Sequence, residues 1–83
     1  MSKEMSKKQF VETVLSETLH IASGRGYVGH EDKDKYWIDR LIFDDEKEIV
    51  TIVCANEYTY KVNVGGDSHL AIIEDVMKEV MRH

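Results

Sequence analysis

Cys54 is the chain's one thiol, flanked by Val53 and Ala55 with no basic residue beside it. A reactive thiolate needs a neighbouring positive charge or a helix N-terminus, so Cys54 reads as a small packed residue. A lone cysteine also excludes an internal disulfide and every multi-cysteine zinc pattern. The histidines, His20, His30, His69 and His83, form no His-x-x-x-His pair on one helix face,. Oxygen ligands are plentiful in His30-Glu31-Asp32-Lys33-Asp34 and Asp44-Asp45-Glu46. Neither run has the alternating aspartates, glycine and closing glutamate that wrap calcium, so both read as solvated charge. No nucleophile stands beside a visible base, and no carboxylate pair rises above the acidic background. The expectation is no catalytic residue, no metal and no cofactor.

Two glycine motifs suggest anion binding. Gly24-Arg25-Gly26-Tyr27-Val28-Gly29 satisfies Gly-x-Gly-x-x-Gly, and a phosphate or small ligand held on its backbone N–H groups is one alternative,. A dinucleotide fingerprint follows a strand and opens a helix, however, whereas this one follows a helical pattern and opens a charged loop. Gly65-Gly66-Asp67-Ser68-His69 does precede a helix, but Asp67 would compete with an anion for the first amides,.

The elements that carry these residues follow from periodicity. Ser6-Lys7-Lys8-Gln9 is a capping box, with Met5 and Phe10 at staple positions,. Phe10, Val11, Val14, Leu15, Thr18, Leu19 and Ala22 recur at helical spacing, predicting a helix over about 6–22 closed by a left-handed Gly24,. Residues 24–35 read as a flexible loop and 1–5 as a tail. Tyr36 to Phe43, Glu48 to Ala55 and Tyr58 to Val64 are rich in β-branched and aromatic residues and predict strands,. Their short connections, Asp44-Asp45-Glu46-Lys47 and a two-residue Asn56-Glu57 turn with positive φ at Asn56, force an antiparallel meander,. Asp67 or Ser68 caps a last helix, striped by Leu70, Ile73, Met77 and Val80,. The expected fold is α+β: one αβββα domain over 1–83, with two helices packed on one face of a three-stranded antiparallel sheet.

Eighty-three residues suffice for one small core,. With 42% hydrophobic and 33% charged residues, the composition fits an ordered globule and offers no run of about 20 apolar residues for a membrane span,. No secretory stretch follows the charged N-terminus, so a cytoplasmic location is expected. Sixteen acidic against eleven basic residues give a net charge of −5, opposite in sign to what nucleic acid attracts,.

Strand alternation fixes the expected faces. A two-residue turn sets Ile49, Thr51, Val53 and Ala55 beside Tyr58, Tyr60, Val62 and Val64 under the helices, and sends Val50, Ile52 and Cys54 to the back,. Trp37, Leu41 and Phe43 join them there if Phe43 pairs with Glu48. An apolar back face implies self-association through Val50, Ile52 and Cys54, and hence a homodimer.

The αβββα order resembles that of double-stranded-RNA-binding domains over most of residues 6–82, which implies nucleic-acid binding as an alternative. That family contacts RNA with lysines at the start of its last helix. Here the matching stretch, Asp67 to Asp75, has none, and Asp44-Asp45-Glu46-Lys47 replaces the family's proline- and histidine-bearing loop. In size, acidity and element order the chain is also similar to phage-encoded accessory proteins, some anti-CRISPR proteins included, that present carboxylates to a basic channel. This likeness implies a non-catalytic regulatory module binding a protein with a basic surface; the net charge and the lack of a long apolar run predict no binding to nucleic acid or membrane,. The candidate contacts are Glu31, Asp32, Asp34, Asp44, Asp45 and Glu46 as acidic rim, with Trp37 as aromatic anchor,.

Overall fold

The computed structural model describes residues 5–24, 37–55 and 57–82. Ser6 opens the first helix as its capping box predicts, its Oγ accepting the Gln9 N–H at 3.1 Å. The helix, α1, continues through three stretches: Lys7–Gln9 and Ser16–Gly24 are α-helical and Phe10–Leu15 between them is π-helical. Within the wide turn the Ser16 N–H reaches back to the carbonyl of Val11, five residues away,. The extra residue rotates the inward face, so Val11, Leu15, Ser16, Leu19 and Ser23 are buried while Val14 stays 44% exposed. Gly24 is the last helical residue, and no left-handed conformation occurs there; Gly66 takes the positive φ, 77°, among the described glycines.

Strands β1 (Ile38–Asp44), β2 (Ile49–Cys54) and β3 (Thr59–Asn63) form an antiparallel sheet in the order β1-β2-β3, and α2 spans His69–Arg82. The α+β architecture is as expected, with both helices packed against the sheet. Its register is not. Cys54 donates its N–H to Tyr58 O at 2.8 Å and accepts the Glu57 N–H on its carbonyl at 3.0 Å. Three residues, 55–57, therefore connect β2 to β3, with Glu57 at φ 71°. This is a turn closed by a left-handed residue, the usual three-residue hairpin connection. The expected positive φ at Asn56 lies outside the described residues.

One additional loop residue flips the faces of β2 relative to β3. Val50 pairs with Val62 and Ile52 with Tyr60, so Val50, Ile52 and Cys54 point toward the helices. The first hairpin differs by two residues, pairing Phe43 with Val50 instead of Glu48, and a shift of two preserves the face,. Leu41 and Phe43 consequently join Val50 and Ile52, but on the inside. Ile38 would point outward by strict alternation; a bulge between Ile38 and Arg40 turns it in, opposite Cys54,.

The core lies between this inner face and the helices. Val11, Leu15 and Leu19 of α1 and Ile72, Val76 and Val80 of α2 pack with the sheet residues. Each fully buried aliphatic side chain contributes about 1.5–3 kcal/mol of transfer free energy. Stripe residues Ile73 and Met77 pack at the core's margin, whereas Leu70, expected within it, is 68% exposed. Ser68 caps α2, its Oγ accepting the Ala71 N–H at 3.2 Å.

Candidate functional site

The expected self-association residues are in the interior. Val50 and Ile52 have no exposed surface and Cys54 retains 2%, all beneath the helices of their own chain. The back face of Val50, Ile52 and Cys54 inferred from a two-residue turn does not exist, and the dimer expectation loses the residues it rested on. Burial pushes the Cys54 thiol pKa up, in keeping with a packed residue,.

Trp37 sits against the C-terminal turn of α1. Its Nε1–H donates to His20 O at 3.1 Å, and its ring stacks on the His20 imidazole at 5.2 Å and 24°. A Cβ at Gly24 would lie 3.1 Å from Trp37 Nε1, so the glycine leaves room for the indole's close approach. The indole is 39% exposed, held in place yet open to solvent.

At the other end of β1, Asp44 Oδ1 accepts the N–H groups of Glu46 (2.9 Å) and Lys47 (3.1 Å). That carboxylate shapes the hairpin, while Asp45 and Glu46 are exposed,. Lys7 pairs with Glu48 at 3.2 Å and Lys8 with Glu12 at 3.0 Å beside the same loop, offsetting part of its negative field. The strand between Trp37 and Asp44 rises about 3.3 Å per residue, which puts the two ends roughly 20 Å apart. Trp37 and the acidic hairpin are near in sequence and remote in space. Glu31, Asp32 and Asp34 lie outside the described residues, as do residues 25–29 of the glycine-rich motif.

An edge strand exposes a row of backbone groups, and α1 occupies those of β1. The Phe43 N–H donates to Glu12 Oε2 at 2.9 Å, and Lys8 Nζ donates to Phe43 O at 3.3 Å. The Leu41 N–H donates to Ser16 Oγ at 3.0 Å, and the Ile38 N–H to Ser23 Oγ at 3.0 Å. His20 Nδ1–H completes the set by donating to Ile38 O at 3.0 Å. Lys8, Glu12, Ser16, His20 and Ser23 recur at four- and three-residue spacing, so one face of the helix reads down the strand,. The Phe43 amide, followed by the Lys8 ammonium, holds the Glu12 carboxyl below the usual carboxylate range. The spacing of this polar stripe, beside the apolar one, is its signal in the sequence.

No described element covers the opposite face of the sheet. Across it run Arg40, Val53 and Thr59, then Ile42, Thr51 and Lys61, then Asp44, Ile49 and Asn63. Ile42 is 42% exposed, with Ile49 and Val53 half-buried in the adjacent rows. Arg40 is engaged by Asp39 at 2.6 Å.

At the foot of α2, Asp67 N–H donates to Val64 O at 3.0 Å across a turn with Gly66 at positive φ, the position that a type II turn gives to glycine,. Asp67 Oδ2 has no exposed surface and no ordinary donor in reach. Side-chain hydrogen bonding with Asp75 raises the Asp67 pKa above its usual value, and burial and the Asp75 charge add to the effect. His69 donates Nε2–H to Met5 O at 2.9 Å and meets Phe10 edge-on at 5.0 Å, which ties α2 to the start of α1.

Among the described residues no cluster of three His, Cys, Asp or Glu side chains could hold a metal ion. No helix among them is long and apolar enough to cross a membrane. No protein family, curated protein or solved structure matches the chain.

Proposed function

We propose that the chain is a regulatory module that binds a protein partner through the open face of its sheet. The observation that carries this reading is Ile42, an aliphatic residue 42% exposed at the middle of a sheet face that no described element covers, with Ile49 and Val53 in the rows beside it. Apolar area grouped on one surface is the usual mark of a contact site. Asp45 and Glu46 border this face at the first hairpin, and the net charge of −5 adds a long-range pull toward a basic partner,. The half-exposed Trp37 ring at the far end of β1 is a second anchor,.

The test is a comparison of variants against one purified partner, first identified by cross-linked capture on the wild-type chain. Ile42→Glu places a charge at the centre of the contact and should weaken binding by at least about tenfold, a loss above 1.4 kcal/mol. The pair Asp45→Lys and Glu46→Lys should chiefly slow association, with the larger effect at low salt. A partner that binds Ile42→Glu as tightly as wild type removes the sheet face from the mechanism.

A further inference from the structure

The two edges of the sheet are treated differently. On β1, the outward N–H groups of Ile38, Leu41 and Phe43 all end on side chains of α1. On β3 the outward residues can be identified from the ladder. Tyr58 and Val64 hydrogen-bond to β2, through Cys54 N–H to Tyr58 O and Val64 N–H to Glu48 O. In an antiparallel pair such residues alternate, so Tyr60 and Val62 also face β2. The N–H and C=O groups of Thr59, Lys61 and Asn63 therefore point away from the sheet. All three residues are exposed, and among the described residues nothing reaches those backbone groups.

We infer that this edge of β3 is a strand-acceptor site, taking an extended segment of a partner protein in which acidic and apolar side chains alternate. The inference rests on the protein-binding reading above and adds to it a second contact, strand addition at the β3 edge, in which a local acidic segment meets Lys61 while the partner's basic surface meets the acidic hairpin. The chemistry of the segment follows from β3. Thr59, Lys61 and Asn63 send their side chains to the outer face, so an added strand sets an acidic residue beside Lys61,. Its alternate residues fall on the inner side next to half-buried Tyr60 and buried Val62, where an apolar side chain is favoured,. A second copy of this chain fits less well. The antiparallel register that uses the outward groups of all three residues centres on Lys61 and sets Lys61 opposite its twin, a repulsive pair. Lysine on an edge strand is a common guard against self-pairing, and the same charge selects an acidic guest.

Amide hydrogen exchange on the full, nitrogen-15-labelled chain tests this. In the protein alone, the amides of Leu41 and Phe43 should be protected and those of Thr59, Lys61 and Asn63 should exchange rapidly. A capped nine-residue peptide of alternating valine and glutamate, at millimolar concentration, should slow those three amides by about tenfold. The same peptide with proline in place of valine should have no effect. Lys61→Glu should lose the protection, and a valine–lysine peptide should restore it. Glu17→Ala, on the exposed side of α1, should leave the peptide effect intact, and loss of the peptide effect while partner binding stays sensitive to Ile42→Glu separates failure at this edge from failure of the sheet-face contact. No slowing at the three amides, or equal slowing by the proline peptide, overturns the inference. Slowing that rises with protein concentration in the absence of peptide overturns it in favour of a second copy.

Discussion

Removing one hydroxyl from α1 should unravel part of the bond network along β1, and its cost can be worked from the structure. Ser16 is 7% exposed and Leu41 2%, and the Leu41 N–H donates to Ser16 Oγ at 3.0 Å. In Ser16→Ala that amide stays buried beside a methyl group, and an orphaned buried donor costs about 1–3 kcal/mol. Alanine is the better helix former by roughly 0.5 kcal/mol, which offsets part of the loss. The net destabilisation is then about 0.5–2.5 kcal/mol, and near the centre of that range the melting temperature falls by roughly 6–12 °C for a domain of this size. Urea unfolding followed by circular dichroism should show a lower midpoint with an unchanged slope. Exchange at the Leu41 amide should rise by more than the global change explains. Glu17→Ala, on the exposed side of the helix, is the control and should stay within about 0.5 kcal/mol of wild type,. Ser23→Ala repeats the test at Ile38; seven helical residues separate the two serines by about 10 Å, so their effects should add. If Ser16→Ala is as stable as wild type, the hydroxyl does not satisfy a buried amide and the account of the β1 edge fails.

Glu12 has a depressed native pKa, so its stabilisation is complete above the ordinary value of 4.5 and is lost as pH falls from there through the native value,. Glu12→Gln should flatten the acid limb of a stability-against-pH curve. Asp67 behaves in the opposite sense: its raised pKa stabilises the fold below 3.8 and that contribution disappears as pH rises through the native value,. Asp67→Asn should therefore be more stable than wild type at neutral pH, with the difference vanishing in acid; equal stability at neutral pH would contradict the raised Asp67 pKa. Cys54 should resist a thiol reagent in the native state and react only at the rate of unfolding, so rapid native labelling would contradict its placement in the core,.

Element types and order were legible because each has a local cause. The Ser6 cap, the β-branched runs and the Ser68 helix start depend on neighbours within four residues. The inward face of α1 was legible only in part. Val14 belongs to the apolar stripe of a regular helix, and the π-helical stretch Phe10–Leu15 turns it outward. What selects that wide turn is tertiary: it brings Glu12 and Ser16 onto the edge of β1, whose position local sequence does not encode.

The faces of the sheet are not legible in the sequence, for a sharper reason. Side-chain direction in a strand has period two, so one residue more or less in a turn exchanges inside for outside along a whole strand. Asn56-Glu57 invites a two-residue turn, yet the chain uses three residues with the left-handed conformation at Glu57. That single step moves Val50, Ile52 and Cys54 into the core and brings Val53, Thr51 and Ile49 to the open face. Burial favours the observed register, since Val50, Ile52 and Cys54 join Leu41, Phe43, Tyr60 and Val62 in one apolar layer, whereas a two-residue turn would set them on the face opposite Tyr60 and Val62. A chain this small has material for one core, and the register that gives this core its larger apolar layer leaves Ile42, Ile49 and Val53 on a second face that no described element covers,.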